Sequence, residues 1–124
     1  MLTFSTIAFS QVYTLKSTSS SIQTKINNYK WSEWTECSES SVRITFDLNN
    51  DRITINTKVT QVYVIAEYEG KSTDEEGNNI DSYDCVDKNG LACRVLWVKL
   101  NSKNGKLFVY YSDKKLFYNI YSLD

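Results

Sequence analysis

Alternation of apolar and polar residues dominates the chain from residue 42 onward. Segment 42–48, Val-Arg-Ile-Thr-Phe-Asp-Leu, puts its apolar side chains on one face of a strand. Segments 52–57 and 61–68 repeat this pattern after polar turns. A period of two, built from β-branched and aromatic residues and closed by Asn, Asp or Gly, is typical of half-buried strands. These segments are therefore predicted to be consecutive antiparallel strands.

Residues 17–30 are the one stretch with a hint of helical spacing. Ile22 and Ile26 lie four residues apart, as on one face of a helix, but the segment is rich in Ser and Asn. Those residues are poor helix formers, because their side chains compete for backbone hydrogen bonds. A strand is the preferred prediction here.

Two tight turns are predicted in the C-terminal third. Asn104-Gly105 is a strong signal for a two-residue type I′ hairpin, because both positions tolerate positive φ. That register sets Leu100 opposite Val109 on an apolar face and leaves Trp97 on the other face. A second turn, at Asp113-Lys114, sets Tyr111 opposite Leu116. Strands at about 94–102, 106–112 and 115–122 would then form a meander.

The pattern predicts an all-β protein with an antiparallel meander of eight or nine strands. Short hairpin connections favour a calycin-like up-and-down barrel, while a β-sandwich stays open because turns alone do not give strand order. The size suits a single β domain spanning residues 11–124.

The first ten residues read as the remnant of a truncated secretory signal peptide. They are uncharged and largely apolar, and Ala8 and Ser10 supply small side chains at the −3 and −1 positions of a cleavage site. The alternative is an ordinary first strand. The Ala-Phe-Ser-Gln ending resembles that of exported proteins of the Bacteroidetes group, and the resemblance implies a bacterial protein. A secreted or periplasmic location is the resulting expectation.

Composition narrows the function classes. The chain has no histidine, which removes the commonest general base and transition-metal ligand. The sequence also has no nucleophile motif and no metal-binding motif, so no enzyme activity and no cofactor are predicted. A carboxylate-based hydrolase is the third and least favoured hypothesis.

The net charge of −1 argues against nucleic acid as a partner. No apolar run is long enough to span a membrane. A monomer is expected.

Cys85 and Cys93 form the most testable pair in the sequence. A three-residue loop at 88–90, with Gly90 in the left-handed region, would set Asp87 opposite Leu91 and Cys85 opposite Cys93. In an oxidising compartment this register predicts a cross-strand disulfide. Cys37 is left over, and it is either a buried small hydrophobe or an alternative disulfide partner for one of the other two cysteines.

Four aromatic residues are the candidates for a ligand or partner surface. The segment from Trp31 to Ser38, Trp-Ser-Glu-Trp-Thr-Glu-Cys-Ser, is similar to the opening of thrombospondin type 1 repeats. In that family the tryptophans stack with arginines of neighbouring strands, and six cysteines cross-link the domain. Here there are only three cysteines and no Arg-x-Arg strand, so that family is not assigned. The candidate surface residues are Trp31, Trp34, Trp97 and Tyr110.

The leading hypothesis is therefore a small, secreted, non-enzymatic β-barrel that binds through an aromatic-rich surface or mouth. Its partner would be a small apolar molecule, a glycan or a protein. The alternative is a structural or protein-interaction accessory domain with a solid core and no pocket, such as an envelope, inhibitor-like or phage-encoded protein.

Overall fold

The computed structural model describes residues 11–124, and over this range the chain forms one antiparallel sheet of ten strands. The expected signal-peptide remnant, residues 1–10, lies outside the described residues. The strands are β1 (Val12–Asn27), β2 (Lys30–Trp31), β3 (Ser38–Glu39), β4 (Arg43–Asp47), β5 (Arg52–Asn56), β6 (Thr60–Thr73), β7 (Asn79–Asp87), β8 (Ala92–Lys99), β9 (Asn104–Tyr110) and β10 (Lys114–Ser122), with a 3-10 turn at Leu48–Asn50.

The sheet closes into an up-and-down barrel of eight principal strands. From β4 to β10 each strand pairs with its neighbour in sequence, and the long strand β1 pairs with β4 through one edge and with β10 through the other. A register shift between Ser17 and Ser19 bends β1 from the first partner toward the second. The all-β meander is thus confirmed, and its form is a barrel rather than a sandwich. The strand predicted for 17–30 is confirmed for most of its length.

The predicted register of the β8–β9 hairpin is wrong. Asn104 and Gly105 belong to β9, and Val95, not Leu100, lies opposite Val109. The turn is formed by residues 100–103, where the Asn101 side-chain carbonyl accepts hydrogen bonds from the backbone N–H groups of Lys103 and Asn104 at 2.9 and 2.8 Å. This five-residue displacement reverses the two faces of β8, so Trp97 points into the barrel.

Gly105 is needed for close packing rather than for a turn. An added Cβ would lie 2.6 Å from the Val98 carbonyl oxygen and 3.4 Å from the Trp97 indole nitrogen. Glycine often marks such close approaches between strands. Close packing between strands therefore explains Gly105, and not the type I′ turn that the Asn104-Gly105 pair predicted.

The predicted β9–β10 turn is displaced by two residues. Ser112 and Asp113 form the turn, because the Tyr111 N–H donates to the Lys114 carbonyl at 2.8 Å and Val109 lies opposite Leu116. An even displacement keeps every side chain on its predicted face. The meander of these three strands is confirmed, although both of its registers differ from the prediction.

The interior of the barrel is filled by side chains. Inward-facing residues of all eight principal strands are almost fully buried, and the cluster contains Leu15, Ile44, Phe46, Ile53, Ile55, Tyr63, Tyr83, Cys85, Cys93, Val95, Trp97, Leu107, Val109 and Ile120. Eight strands enclose a space just wide enough for such filling. Among the described residues, no helix has the length and hydropathy to cross a bilayer.

Replacing Gly105 with Ala should destabilise the fold by about 1–3 kcal/mol, because the new methyl group must displace the β8 backbone or the Trp97 ring. Chemical denaturation of both proteins measures the change. Gly105→Asn separates the two explanations for this glycine, which are close packing against β8 and a turn with positive φ. Asn is tolerated at positive φ in a turn, but it does not fit where an added Cβ clashes. Comparable destabilisation by Ala and Asn supports the steric explanation, whereas a mild effect of Asn contradicts it.

Candidate functional site

One end of the barrel is open and is lined by aromatic side chains. At this end, called the mouth below, β1 begins, β8 ends and β7 begins. A cavity of about 350 Å³ opens there, and its lining includes Tyr13, Tyr68, Tyr83 and Trp97 together with Asp81 and Lys99. A second depression of about 320 Å³ shares Tyr13, Trp97 and Lys99 with it. The mouth is therefore a cleft on both sides of the Tyr13–Trp97 pair.

Strand register brings the polar residues of the mouth together. Lys71 of β6, Asp81 of β7 and Trp97 of β8 are direct partners across three adjacent strands. Asp81 lies two residues from the buried Tyr83, so its side chain faces the same interior. A carboxylate is thus placed inside a barrel whose other inward residues are mostly apolar.

The aromatic rings of the mouth form a connected cluster. Tyr13 meets Trp97 edge to face, with ring centroids 5.5 Å apart. Trp97 also packs on Phe46 at 4.8 Å, and Phe46 in turn packs on Tyr83 at 5.6 Å. Contacts of this kind hold each ring in a narrow range of orientations. The floor of the mouth is therefore a rigid aromatic surface.

Asp81 is held by two donors within this surface. Its side chain is almost fully buried, the Tyr68 hydroxyl donates to Oδ1 at 2.6 Å, and Lys99 Nζ lies 2.9 Å from Oδ2. Lys99 also lies over the Trp97 ring, 4.5 Å from its centroid. Each carboxylate oxygen keeps a further lone pair, so the group remains able to accept a hydrogen bond from a ligand.

These contacts change the pKa values of the groups involved. Burial alone would raise the pKa of Asp81, but the hydrogen bonds from Tyr68 and Lys99 and the nearby ammonium charges hold this pKa below its ordinary value. The hydrogen bond to Asp81 raises the pKa of Tyr68 to about 12. The mouth therefore presents an ionised carboxylate and a neutral phenol at neutral pH.

The opposite end of the barrel is closed by tyrosines. The Tyr111 hydroxyl donates to Asp87 Oδ2 at 2.9 Å, and Tyr63 is almost fully buried beside it. Burial raises the pKa of Tyr63 to about 12. Buried and mutually hydrogen-bonded side chains thus fill this end, which is called the closed end below.

The four aromatic residues predicted for a ligand surface do not lie together. Trp97 is in the mouth, whereas Trp31, Trp34 and Tyr110 lie on the outer side of the barrel around β9 and β10. The error follows from the register of β8, because the reversed strand exchanges the inner and outer positions. The four residues therefore belong to two separate groups of aromatic side chains, one in the mouth and one on the outer side of the barrel.

Asp81, Lys99 and Tyr68 were not among the surface residues predicted from the sequence. A signal for Asp81 was present, because Asp81 is two residues before Tyr83 and four before Cys85 in one strand and so shares their face. Lys99 is two residues after Trp97 and so shares its face, which the wrong hairpin register placed away from the apolar face. Tyr68 follows a register shift in β6, between Ile65 and Glu67, that changes which residues face inward and that no local pattern reveals.

The predicted register of the cysteine hairpin is confirmed. Cys85 lies directly opposite Cys93, Gly90 has a φ of 81°, and the Asp87 N–H donates to the Leu91 carbonyl at 2.9 Å. The Asp87–Leu91 hydrogen bond lies two positions away along the ladder, so Cys85 and Cys93 are also a hydrogen-bonded pair. The Cα atoms of such a pair are about 5.5 Å apart, which is within the range for disulfides. The structure holds both as free thiols, so the disulfide stays a prediction. Cys37 is exposed.

Within residues 11–124, no three acidic or cysteine side chains gather closely enough to hold a metal ion. Comparison with protein-family models, with curated proteins and with solved structures finds no match for the chain.

Replacing Asp81 with Asn should remove part of the dependence of stability on acid pH. Because the pKa of Asp81 is lowered by folding, its stabilising contribution is complete above about pH 4 and is lost as the pH falls through the folded pKa. The variant should be less stable by roughly 1–3 kcal/mol at pH 7, from the lost charged hydrogen bonds. The two proteins should approach each other below pH 3, as measured by urea unfolding. Asp113→Asn, in an exposed turn, is the control, and parallel acid profiles for wild type and Asp81→Asn would contradict the assignment.

Only Cys37 should react quickly with a thiol reagent in the reduced, folded protein. Cys85 and Cys93 are buried, and burial raises their pKa values to about 12 and about 11. At pH 8 the thiolate fraction of Cys93 is then about one in a thousand. A colorimetric thiol assay should count one fast thiol in the wild type and none in Cys37→Ser, with the other two appearing on unfolding. Two or three fast thiols in the native wild type would show that the hairpin interior is open.

Proposed function

We propose that this protein is a non-enzymatic binding domain that holds a small neutral molecule in the mouth of its barrel. The observation on which the proposal rests is a buried carboxylate, Asp81, set in an aromatic surface beside a cavity of about 350 Å³. Ligand sites are typically concave and mostly apolar, with a few placed polar groups, and their volumes begin at about 300 Å³. The mouth has each of these properties.

The contacts indicate the chemistry of the ligand. Tyr13 and Trp97 offer an apolar ring surface, of which Tyr13 is 40% exposed. Asp81 can accept a hydrogen bond from a hydroxyl group, and Lys99 can donate one. The cavity lining contains two carboxylates, from Asp51 and Asp81, and two ammonium groups, from Lys71 and Lys99. Its net charge is therefore close to zero, and it favours neither a cation nor an anion. The favoured ligand is therefore a neutral ring with an apolar face and at least one hydroxyl, such as a phenol or a monosaccharide.

A binding role fits the side chains better than catalysis does. Asp81 has its charge engaged by Tyr68 and Lys99, and its lowered pKa makes it a weak general base. The chain also has no histidine to move a proton near neutral pH. We therefore keep the non-enzymatic assignment, and the expected monomer, as part of the proposal.

The proposal includes a secreted or periplasmic location in a bacterium and a Cys85–Cys93 disulfide. The supporting feature is the confirmed register, which places the two cysteines opposite each other across one hairpin. Closing the bond requires their Cβ atoms to approach, since a hydrogen-bonded pair holds them farther apart than a disulfide does. Because both thiols are buried, oxidation is expected while the chain folds rather than afterwards.

The alternative function, a structural or interaction domain without a ligand, also has an observation in its favour. Below the mouth the barrel is packed solid, and its largest inward residues, such as Phe46 and Tyr63, are almost fully buried. Aromatic residues that only fill a core would produce the same interior. Native mass spectrometry of protein purified from its own host separates the two cases, because a retained small molecule is expected only for the binding domain.

The neutral aromatic alcohol 2-naphthol should bind in the mouth, with the indole N–H resonance of Trp97 as the reporter. Asp81→Asn should weaken binding roughly tenfold, the equivalent of about 1.4 kcal/mol, because a charged acceptor is lost. Tyr13→Ala should weaken binding several-fold through lost ring contact. Naphthalene, which has no hydroxyl, should bind roughly tenfold more weakly than 2-naphthol to the wild type and equally weakly to Asp81→Asn.

Trp34→Ala is the matched control for this experiment. Trp34 is 38% exposed, close to the 40% of Tyr13, but it lies on the outer side of the barrel. It should leave the affinity for 2-naphthol unchanged. If 2-naphthol does not shift the Trp97 resonance at its solubility limit, or if Trp34→Ala weakens binding as much as Tyr13→Ala, the mouth is not the binding site.

A further inference from the structure

A second group of aromatic side chains lies on the outer surface of the barrel. It consists of Trp31, Trp34, Phe108, Tyr110 and Phe117 and is called the outer strip below. The last three occupy alternate positions to the buried Leu107, Val109 and Ile120, so they face away from the core. Outward positions of a barrel in water are usually polar. A row of rings at such positions calls for a specific explanation.

The rings of the outer strip are arranged side by side. Phe117 and Phe108 are direct partners on β10 and β9, and their rings stack at 5.0 Å. Trp34 crosses both of them edge to face, at 6.2 and 6.4 Å, and Tyr110 continues the row at 5.6 Å from Phe108. Trp34 keeps 38% of its surface exposed. The strip is therefore only partly covered by the segment that contains Trp34.

Lysine ammonium groups lie among these rings. Lys115 Nζ is 4.5 Å from the centroid of Trp31 and 5.2 Å from that of Tyr110, and Lys25 Nζ is 5.8 Å from Trp31. Within residues 11–124 the ion pairs are made by Arg94 and Lys99, and neither of these lysines makes one. The outer strip thus combines ring surface with ammonium groups that form no ion pair within the described residues.

A shallow groove of about 230 Å³ runs beside the stacked rings. Its lining contains Trp34, Phe108 and Phe117, the hydroxyl residues Ser21 and Thr35, the thiol of Cys37 and the ammonium group of Lys106. No aliphatic side chain is part of this lining. Rings, hydroxyls and an amine suit a ligand that has apolar patches between many polar groups.

We propose that the outer strip binds an acidic polysaccharide, a chain of sugar rings that bear carboxylate or sulfate groups. The C–H faces of a sugar ring are apolar and pack on aromatic side chains, while its hydroxyls meet the exposed hydroxyl of Thr35. The anionic groups meet Lys25, Lys106 and Lys115, none of which forms an ion pair within residues 11–124. Because several rings stand in a row, a chain of sugars fits the strip better than a single sugar does.

Two other partner classes match the strip less well. Protein interfaces are enriched in aromatic residues and arginine but depleted in lysine, whereas every cation of the outer strip is a lysine. Single-stranded nucleic acid also stacks on aromatic rings, but it favours strongly basic grooves and the chain has a net charge of −1. The acidic polysaccharide is therefore the partner that charge and ring chemistry favour together.

The test uses hexagalacturonate, a linear six-sugar chain with a carboxylate on each ring, in calorimetric titrations at low and at moderate salt. Wild type should bind it, and added salt should weaken the binding. Trp34→Ala should reduce affinity at least tenfold, through lost ring contact. Lys115→Gln should reduce affinity about threefold to tenfold and should flatten the salt dependence. The fully methyl-esterified hexamer, which keeps the rings but loses the charge, should bind at least tenfold more weakly.

Matched controls come from elsewhere on the barrel. Tyr13→Ala removes a ring of similar exposure from the mouth, and Lys58→Gln removes an ammonium group from the β5–β6 turn. Both should leave the affinity for hexagalacturonate unchanged, and thermal melting should show that all variants are folded. The proposal is overturned if wild type does not bind hexagalacturonate at low salt. It is also overturned if the controls weaken binding as much as Trp34→Ala, or if a ten-residue oligothymidylate binds more tightly than the sugar chain. None of these results depends on whether the mouth binds 2-naphthol.

Discussion

The pairing of β1 with two different strands is the constraint on which the rest of the molecule depends. β1 meets β4 along residues 12–16 and meets β10 along residues 15–24, so the sheet has one continuous inner face. Closure removes the open edges that would otherwise recruit another chain. It also fixes the diameter, and eight strands leave an interior that side chains can fill completely. Open space for a ligand is therefore found at the mouth rather than in the middle.

The two ends of the barrel differ in how they treat polar groups. At the closed end, Tyr111 and Asp87 satisfy each other beneath a short hairpin, with Tyr63 packed beside them. At the mouth, Asp81 is satisfied by Tyr68 and Lys99 but remains beside a cavity. A buried carboxylate is costly unless it is paired, and its partners here also hold it ionised. The fold thus holds an ionised hydrogen-bond acceptor beside the cavity at the mouth.

Tryptophan side chains have different surroundings on the inner and outer faces of the sheet. Trp97 fills the inner surface and contacts Phe46 and Tyr13, whereas Trp34 lies outside against Phe108 and Phe117. Both tryptophans can offer a ring to a ligand, but their surroundings differ in charge. The lining of the mouth is close to neutral, with two carboxylates and two ammonium groups, whereas the lysines beside the outer strip form no ion pair within the described residues. This difference is the reason for assigning them ligands of different chemistry.

The sequence by itself determined the strand content, the antiparallel pairing of consecutive strands and the cysteine register. Period-two alternation is a local property, and the loop that pairs Cys85 with Cys93 is closed by local hydrogen bonds to Asp87 together with the positive φ of Gly90. Tertiary structure alone decided the β8–β9 register. Gly105 is required because an added Cβ would clash with the Val98 carbonyl on the facing strand, and not because it forms a turn. It also decided barrel closure, which joins residues about a hundred positions apart, as in the pair Leu15 and Ser122. The mouth follows from both of these nonlocal contacts, so no local pattern could group Asp81 with Trp97 and Lys99.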